Sequence, residues 1–251
     1  MSEGIDNSEY SIDELTEADV EESEEVRYAV RLTDVSRVYS IGNRTITALQ
    51  HVNLTVRPGE FVVVNGPSGS GKTTLLNVIG AIDYPTEGRV ILMDVPIGDY
   101  DESFRATFRL TYTGFIFQSY NLISTLTALE NVMFPMQLSD DPPAEVRERA
   151  LALLERVGLA ERRDHLPWQL SSGEQQRVAI ARAMANDPPV ILADEPTANL
   201  DESSAEIVRR LLRELNEQGK TVIVMTHDEL IARTPGARRF HMSNGVLTEI
   251  E

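Results

Sequence analysis

The chain predicts an α/β fold: a mostly parallel sheet with helices covering both faces. Three short runs carry that prediction, Phe61-Val62-Val63-Val64, Val190-Ile191-Leu192-Ala193 and Thr221-Val222-Ile223-Val224-Met225, each nearly or wholly apolar and without alternation. Strands buried on both faces read this way. Helical patterns separate the runs. Ala144–Val157 sets Val146, Ala150, Leu153, Leu154 and Val157 on one face and stops at Gly158; Asp201–Leu215 sets Ile207, Val208, Leu211, Leu212 and Leu215 on one stripe, with Gly219 beyond it. At 251 residues the chain is long enough for a large single domain with a core of its own.

Taken from the N-terminus, residues 1–26 are dominated by Glu, Asp, Ser and Thr, and a solvated, disordered leader is expected. The pattern changes at Arg27. Tyr28-Ala29-Val30-Arg31-Leu32 alternates like a half-buried strand, and the run Phe61–Val64 passes through a glycine-rich turn into a helix that begins near Lys72. No internal repeat is present.

Composition removes several classes. The absence of cysteine excludes disulfide scaffolds, iron–sulfur clusters, cysteine zinc sites and thiol nucleophiles. No window reaches 18 consecutive apolar residues and the first residues are not a basic-then-apolar signal, so a soluble, cytoplasmic chain is expected. The formal net charge of -17 disfavours nucleic acid and anionic lipid, and no nucleic-acid partner is expected. Residues 1–30 hold eleven acids against one base, so much of that charge is local to the leader. The chain has two lysines, Lys72 and Lys220.

One of those two lysines falls in Gly66-Pro67-Ser68-Gly69-Ser70-Gly71-Lys72-Thr73, a phosphate-binding loop pattern set between a buried strand and a helix. Glycines let successive N–H groups turn inward, and the helix N-terminus adds partial positive charge. Lys72 can reach β- and γ-phosphates, and the Thr73 hydroxyl, followed by Thr74, can ligate Mg²⁺. A second motif, Val190-Ile191-Leu192-Ala193-Asp194-Glu195-Pro196, ends a buried strand in two carboxylates, at the edge where open α/β sheets take ligands. Asp194 is placed to hold Mg²⁺ and Glu195 to act as general base on an attacking water.

Between these halves stands Leu170-Ser171-Ser172-Gly173-Glu174-Gln175-Gln176-Arg177. With it, the sequence resembles the ATP-binding cassette (ABC) family, whose signature reads Leu-Ser-Gly-Gly-Gln. Phe117-Gln118 resembles the Q-loop, Asn199-Leu200-Asp201 the D-loop and Thr226-His227-Asp228 the histidine switch, while Tyr39 falls where the family places its adenine-stacking aromatic. Ser172 and Glu174 depart from the signature, which leaves open whether position 172 needs a left-handed backbone.

The resemblance implies a P-loop NTPase with a RecA-like, mostly parallel sheet, an antiparallel β subdomain and a helical subdomain inserted at about 119–186, all within 27–251. It implies ATP and Mg²⁺ as ligands, and a homodimer in which the phosphate loop of one copy and Ser171, Gly173 and Glu174 of the other hold one ATP. Gln118 would contact Mg²⁺ and the lytic water, His227 the γ-phosphate, and Asp201 groups across the interface. Phe115–Ile123 and Leu126–Val132 resemble the lipoprotein-release, macrolide-export and division-associated group (LolD, MacB and FtsE types). That group implies a separate membrane permease with an FtsX/MacB-like transmembrane domain and a peripheral position on the cytoplasmic face. An exposed patch of Tyr120, Leu122, Leu126 and Phe134 is expected to receive the permease. The alternative, a soluble ABC-type ATPase acting on nucleic acid or ribosomes, would require a basic face or an inserted arm, and the sequence has neither.

Overall fold

The computed structural model describes residues 27–42, 44–139 and 142–250; the acidic leader expected to be disordered lies outside the described residues. In chain order the elements are β1 (Val30–Ile41), β2 (Arg44–Val56), β3 (Phe61–Asn65), α1 (Lys72–Ile79), β4 (Glu87–Leu92), α2 (Glu102–Tyr112), β5 (Thr113–Ile116) and α3 (Ala128–Met136). There follow α4 (Pro143–Arg156), α5 (Ser172–Ala183), β6 (Val190–Asp194), α6 (Glu202–Glu217), β7 (Thr221–Met225), α7 (Glu229–Ala232), β8 (Arg238–Ser243) and β9 (Val246–Ile250).

The three apolar runs are β3, β6 and β7, at the centre of a six-stranded sheet ordered β5-β6-β7-β3-β8-β9. Pairing is parallel from β5 through β8, and β9 closes the edge antiparallel. Their lack of alternation has a direct cause. Val62 and Val64 pack on one side with Leu75 and Ile79 of α1, while Phe61 and Val63 pack on the other with the helices between β5 and β6. Both faces are dry, so neither set of side chains has to be polar.

One face of this sheet carries a three-stranded antiparallel sheet, β2-β1-β4, in which Val30 stands between Val56 and Leu92. The alternating strand expected at Tyr28–Leu32 starts two residues later than expected and runs on to Ile41. Register shifts follow Leu32, Val35 and Arg37, and Asp34 and His51 sit at positive φ of 53° and 47°. These bulges break the period of two, which is why the alternation fades while the strand continues.

The other face carries α3, α4 and α5, whose Val132, Leu154 and Val178 share one buried cluster with Phe61, Ile191 and Val222 of the sheet. The helical segment is thus welded to the sheet through a common core. The two amphipathic helices form close to their expected bounds, and five helices are capped by side chains at their N-termini: α2 by Asp101, α3 by Thr127 with Glu130, α5 by Ser171 with Glu174, α6 by Asp201 and α7 by Asp228.

Candidate nucleotide site

Parallel pairing sends the C-terminal ends of β5, β6, β7 and β3 to one edge, in that spatial order. Gln118 lies two residues past β5, Asp194 ends β6, His227 lies two past β7, and the loop Gly66–Gly71 joins β3 to α1. Strands about 4.8 Å apart set these groups side by side.

In the loop, Gly66, Gly69 and Gly71 have φ of 153°, 78° and 107°. Close approach adds a second reason for two of them: a Cβ on Gly66 would stand 2.2 Å from the Met242 carbonyl oxygen, and one on Gly71 2.4 Å from that of Ala48. Pro67, Ser68 and Gly69 form an exposed tip above buried Ser70, whose hydroxyl has no hydrogen-bond partner among the described residues. No side chain caps α1 and no acid stands in its first turn, so its N-terminal N–H groups are left to an anion. Lys72 Nζ donates to the carbonyls of Gly66 at 2.7 Å and Pro67 at 3.1 Å.

The Thr73 hydroxyl donates to Asp194 Oδ2 at 2.7 Å, so the two expected metal ligands already meet. Their hard oxygens suit Mg²⁺, which is commonly held by one or two carboxylates together with substrate phosphates. Burial pushes the Asp194 carboxyl above its ordinary range and the Glu195 charge adds to this, against the Thr73 hydrogen bond and Lys72. Gln118 is exposed at the edge beyond β5, and Thr74 is half-buried in the first turn of α1.

Glu195 adopts φ 45°, a left-handed backbone that costs a non-glycine residue on the order of 1 kcal/mol or more. Its N–H is fixed by the Met225 carbonyl at 2.8 Å. The side chain, 14% exposed, is shared: His227 Nδ1 stands 2.8 Å from Oε2, and Lys72 Nζ 3.7 Å from Oε1.

Tyr39, on β1, is oriented by two residues that the sequence did not single out. Its hydroxyl donates to Asp83 at 2.5 Å, and the Arg37 guanidinium lies 4.4 Å from its ring centroid while pairing with Asp83 at 2.7 Å.

Ser171 and Ser172 are exposed at the start of α5. The Ser171 oxygen accepts the Glu174 N–H at 3.2 Å, which uses a lone pair and leaves its O–H as a donor. Ser172 is the first helical residue and has no positive φ, so serine there carries no backbone strain. Gly173 is required for another reason: its Cβ would stand 2.3 Å from Ser204 Oγ on α6. The Glu174 carboxylate turns back, accepting the Ser171 N–H at 2.8 Å and Arg162 Nε at 3.2 Å, which places it in the cap of its own helix. Those N–H bonds hold its carboxyl below the ordinary range, against partial burial. Asp201 caps α6 through Ser204 at 3.0 Å.

Three polar ties were invisible in the sequence because each joins distant segments. Gln176 donates to the Pro196 carbonyl at 2.8 Å, linking α5 to the loop after Glu195. Arg182 donates to the Tyr120 carbonyl at 2.8 Å and so holds the turn after Gln118. Arg209, 6% exposed, bonds Asp228 at 2.9 Å, and Asp228 also accepts from Thr197 at 2.9 Å. Of the expected surface patch, Phe134 lines an open cleft of about 350 Å³ with Leu110, Phe117 and Ile123; Tyr120 and Leu126 are half-buried elsewhere and Leu122 packs into the core.

A phosphate loop between a parallel strand and its helix, with an aspartate and a glutamate closing a nearby strand, defines a P-loop NTPase. The sequence profile of the ABC transporter family matches residues 49–198. MJ0796, an ABC transporter ATP-binding protein of Methanocaldococcus jannaschii, is 48% identical over 224 residues, 86% of this chain and 94% of the relative. The macrolide export ATP-binding/permease protein MacB of Hyphomonas neptunium is 46% identical over 203 residues, 81% of this chain and 32% of MacB. The solved dimeric ATP-binding cassette MJ0796, in a post-hydrolysis state bound to ADP and Pi, matches with a TM-score of 0.83 at 46% identity, over 88% of this chain and 98% of that one. The chain belongs to the ABC transporter family, and it is an ATP-binding subunit of that family with the ATPase fold.

Proposed function

We propose that this chain hydrolyses ATP between two of its own copies, paired head to tail, and thereby drives a separate integral membrane permease of the FtsX/MacB-like type from the cytoplasmic face. The observation that carries this reading is the position of the Glu195 carboxylate between Lys72 and His227, beside the Thr73–Asp194 pair. A triphosphate lying along the loop would put its terminal phosphorus next to the Glu195 carboxylate, which would take a proton from water.

Each side chain then has a task. The loop from Gly66 to Gly71 turns its N–H groups toward the phosphates, Lys72 binds β- and γ-oxygens, and Tyr39 offers its ring to adenine. Thr73, Asp194 and Gln118 would hold Mg²⁺, with Thr74 beside them. When bound, Mg²⁺ supplies charge neutralisation across the β- and γ-phosphates. Glu195 takes a proton as the water oxygen bonds to the γ-phosphorus and the bond to the bridging oxygen breaks. His227 stabilises the charge on the γ-phosphate. Ser171 and Gly173 present donors to the ATP held by the other copy, and Asp201 orders the facing loop. The pair closes on ATP and loosens once the γ-phosphate leaves.

The permease reading is supported by MacB, whose name joins an ATP-binding part to a permease and whose ATP-binding part this chain matches. Among the described residues no helix is long and apolar enough to cross a membrane, so any spanning helices would come from elsewhere. The cleft lined by Phe117, Ile123 and Phe134 sits on the segment that follows β5, as Gln118 does, and an amphipathic helix fits such a groove. Its position there lets a permease feel the state of the nucleotide.

Replacing Glu195 by Gln tests the chemistry. Turnover should fall roughly 10²-fold or more while ATP still binds and the protein elutes as a dimer on gel filtration with Mg²⁺ and ATP. Near-normal turnover would remove Glu195 as the base. Detergent co-purification of a four-helix permease tests the second half of the proposal.

A further inference from the structure

The chain's single tryptophan, Trp168, is 74% exposed, the most of the exposed large apolar side chains described. It lies in a short 3-10 turn, Pro167–Gln169, that feeds directly into Ser171 at the cap of α5. The turn is rigid. Gln169 Oε1 accepts the Leu166 N–H at 2.8 Å, the Leu170 N–H bonds the Pro167 carbonyl at 3.1 Å, and Ala128 N–H bonds the His165 carbonyl at 2.8 Å. Pro167 and Leu170 are buried, whereas Trp168, Gln169, Ser171 and Ser172 are exposed. An indole on a fixed backbone presents its area with little ordering left to lose on contact.

We propose that Trp168 is a contact residue of the ATP-bound pair, packing on the second copy beside the ATP whose γ-phosphate Ser171 and Gly173 take. The inference rests on the head-to-tail pairing proposed above and adds to it a specific apolar anchor. Three residues of chain span at most about 10 Å, so the ring stays beside the signature cap. Its flat face accepts apolar side chains of a facing copy, and tryptophan is enriched among the residues that dominate interfaces. Trp168 stands three residues before Ser171, the exposed serine that the proposed pairing uses.

The test exploits the sole tryptophan. In full-length Glu195→Gln protein, Mg²⁺ with ATP should blue-shift the emission and reduce acrylamide quenching severalfold as protein concentration rises, and ADP should not. Trp168→Ala should raise the dimer dissociation constant by about tenfold or more in sedimentation while leaving ATP affinity at low protein concentration unchanged. Trp168→Phe should recover most of the loss. A dimer that forms on ATP with Trp168 still fully quenchable, or one that Trp168→Ala does not weaken, overturns the assignment of Trp168 and leaves the pairing intact. Absence of any ATP-dependent dimer overturns both. Because the side chain is exposed, an unchanged melting temperature checks that the variants fold.

Discussion

The edge of the parallel sheet and the arm that carries α5 solve different problems. At the sheet edge three of the reacting groups are answered within the chain: Lys72 by two loop carbonyls, Thr73 by Asp194, Glu195 by His227. Strand pairing brings these groups together, and the dry core on both faces makes the register rigid. On the arm, Ser171, Ser172 and Trp168 are exposed, and beyond the core it shares with the sheet the arm is tied by Gln176 to the Pro196 carbonyl and by the close approach of Gly173 to Ser204 on α6. On the proposed reading, one chain supplies the chemical edge and half of a second binding surface, and hydrolysis depends on the first and pairing on the second.

The largest way to separate the two is to disable the edge. Lys72→Ala removes a charged donor to the phosphates, and a hydrogen bond to a charged group is worth about 1.5–3 kcal/mol. Calorimetric titration should show ATP affinity falling roughly tenfold to a hundredfold in the unpaired protein. Unchanged affinity would mean that the loop N–H groups alone hold the triphosphate.

A smaller effect is expected on the arm. Gly173→Ala places a Cβ 2.3 Å from Ser204 Oγ and 2.7 Å from Ser204 Cβ, and the two helix starts must move apart. Such overpacking costs about 1–3 kcal/mol. The melting temperature and ATP-driven dimerisation should both fall, while ATP binding by the separate copy stays near normal. Adding Ser204→Gly removes the clashing atoms, so the double variant should regain dimerisation. Failure of that rescue would show that Gly173 serves through its N–H geometry alone.

The contrast also explains what could be read in advance. The parallel strands were legible because burial on both faces leaves an unbroken apolar run, and the phosphate loop because its chemistry is contiguous over eight residues. The antiparallel sheet was legible for its first few residues, since bulges at Leu32, Val35 and Arg37 disrupt the alternation and much of β2 is exposed on one side. Long-range pairings were not legible. Arg37 and Asp83, which orient Tyr39, are 46 residues apart, and Gln176 and Pro196 are 20 apart. Nothing local in either partner announces the other. Gly173 could be read as part of a motif, but its physical reason, the approach of Ser204, exists after α5 and α6 have packed. Likewise the backbone at Ser172 was an open question that the helix start answers.

The smallest expected effect sharpens the comparison most, because its sign opposes intuition. Asp194 is buried at the end of β6, and burial raises its carboxyl above an ordinary value of 3.8 despite the Thr73 hydrogen bond. A carboxyl raised by folding favours the folded state when protonated, and that contribution is lost as pH rises through the raised value. At neutral pH the protein therefore carries the cost of a charge held out of water. Asp194→Asn keeps the shape and an acceptor for Thr73 but removes the charge. In the absence of nucleotide and Mg²⁺ the variant should melt higher than the parent at pH 7–8, each kcal/mol reading as about 2–4 °C, with the gap closing below about pH 4 where both side chains are neutral. The same variant should lose the extra melting shift that Mg²⁺ adds to ATP, since the stored cost is what a divalent cation relieves. A variant that melts lower than the parent at neutral pH would show that the attraction of Lys72 for Asp194 outweighs desolvation, and that the sheet edge is held together by its charges.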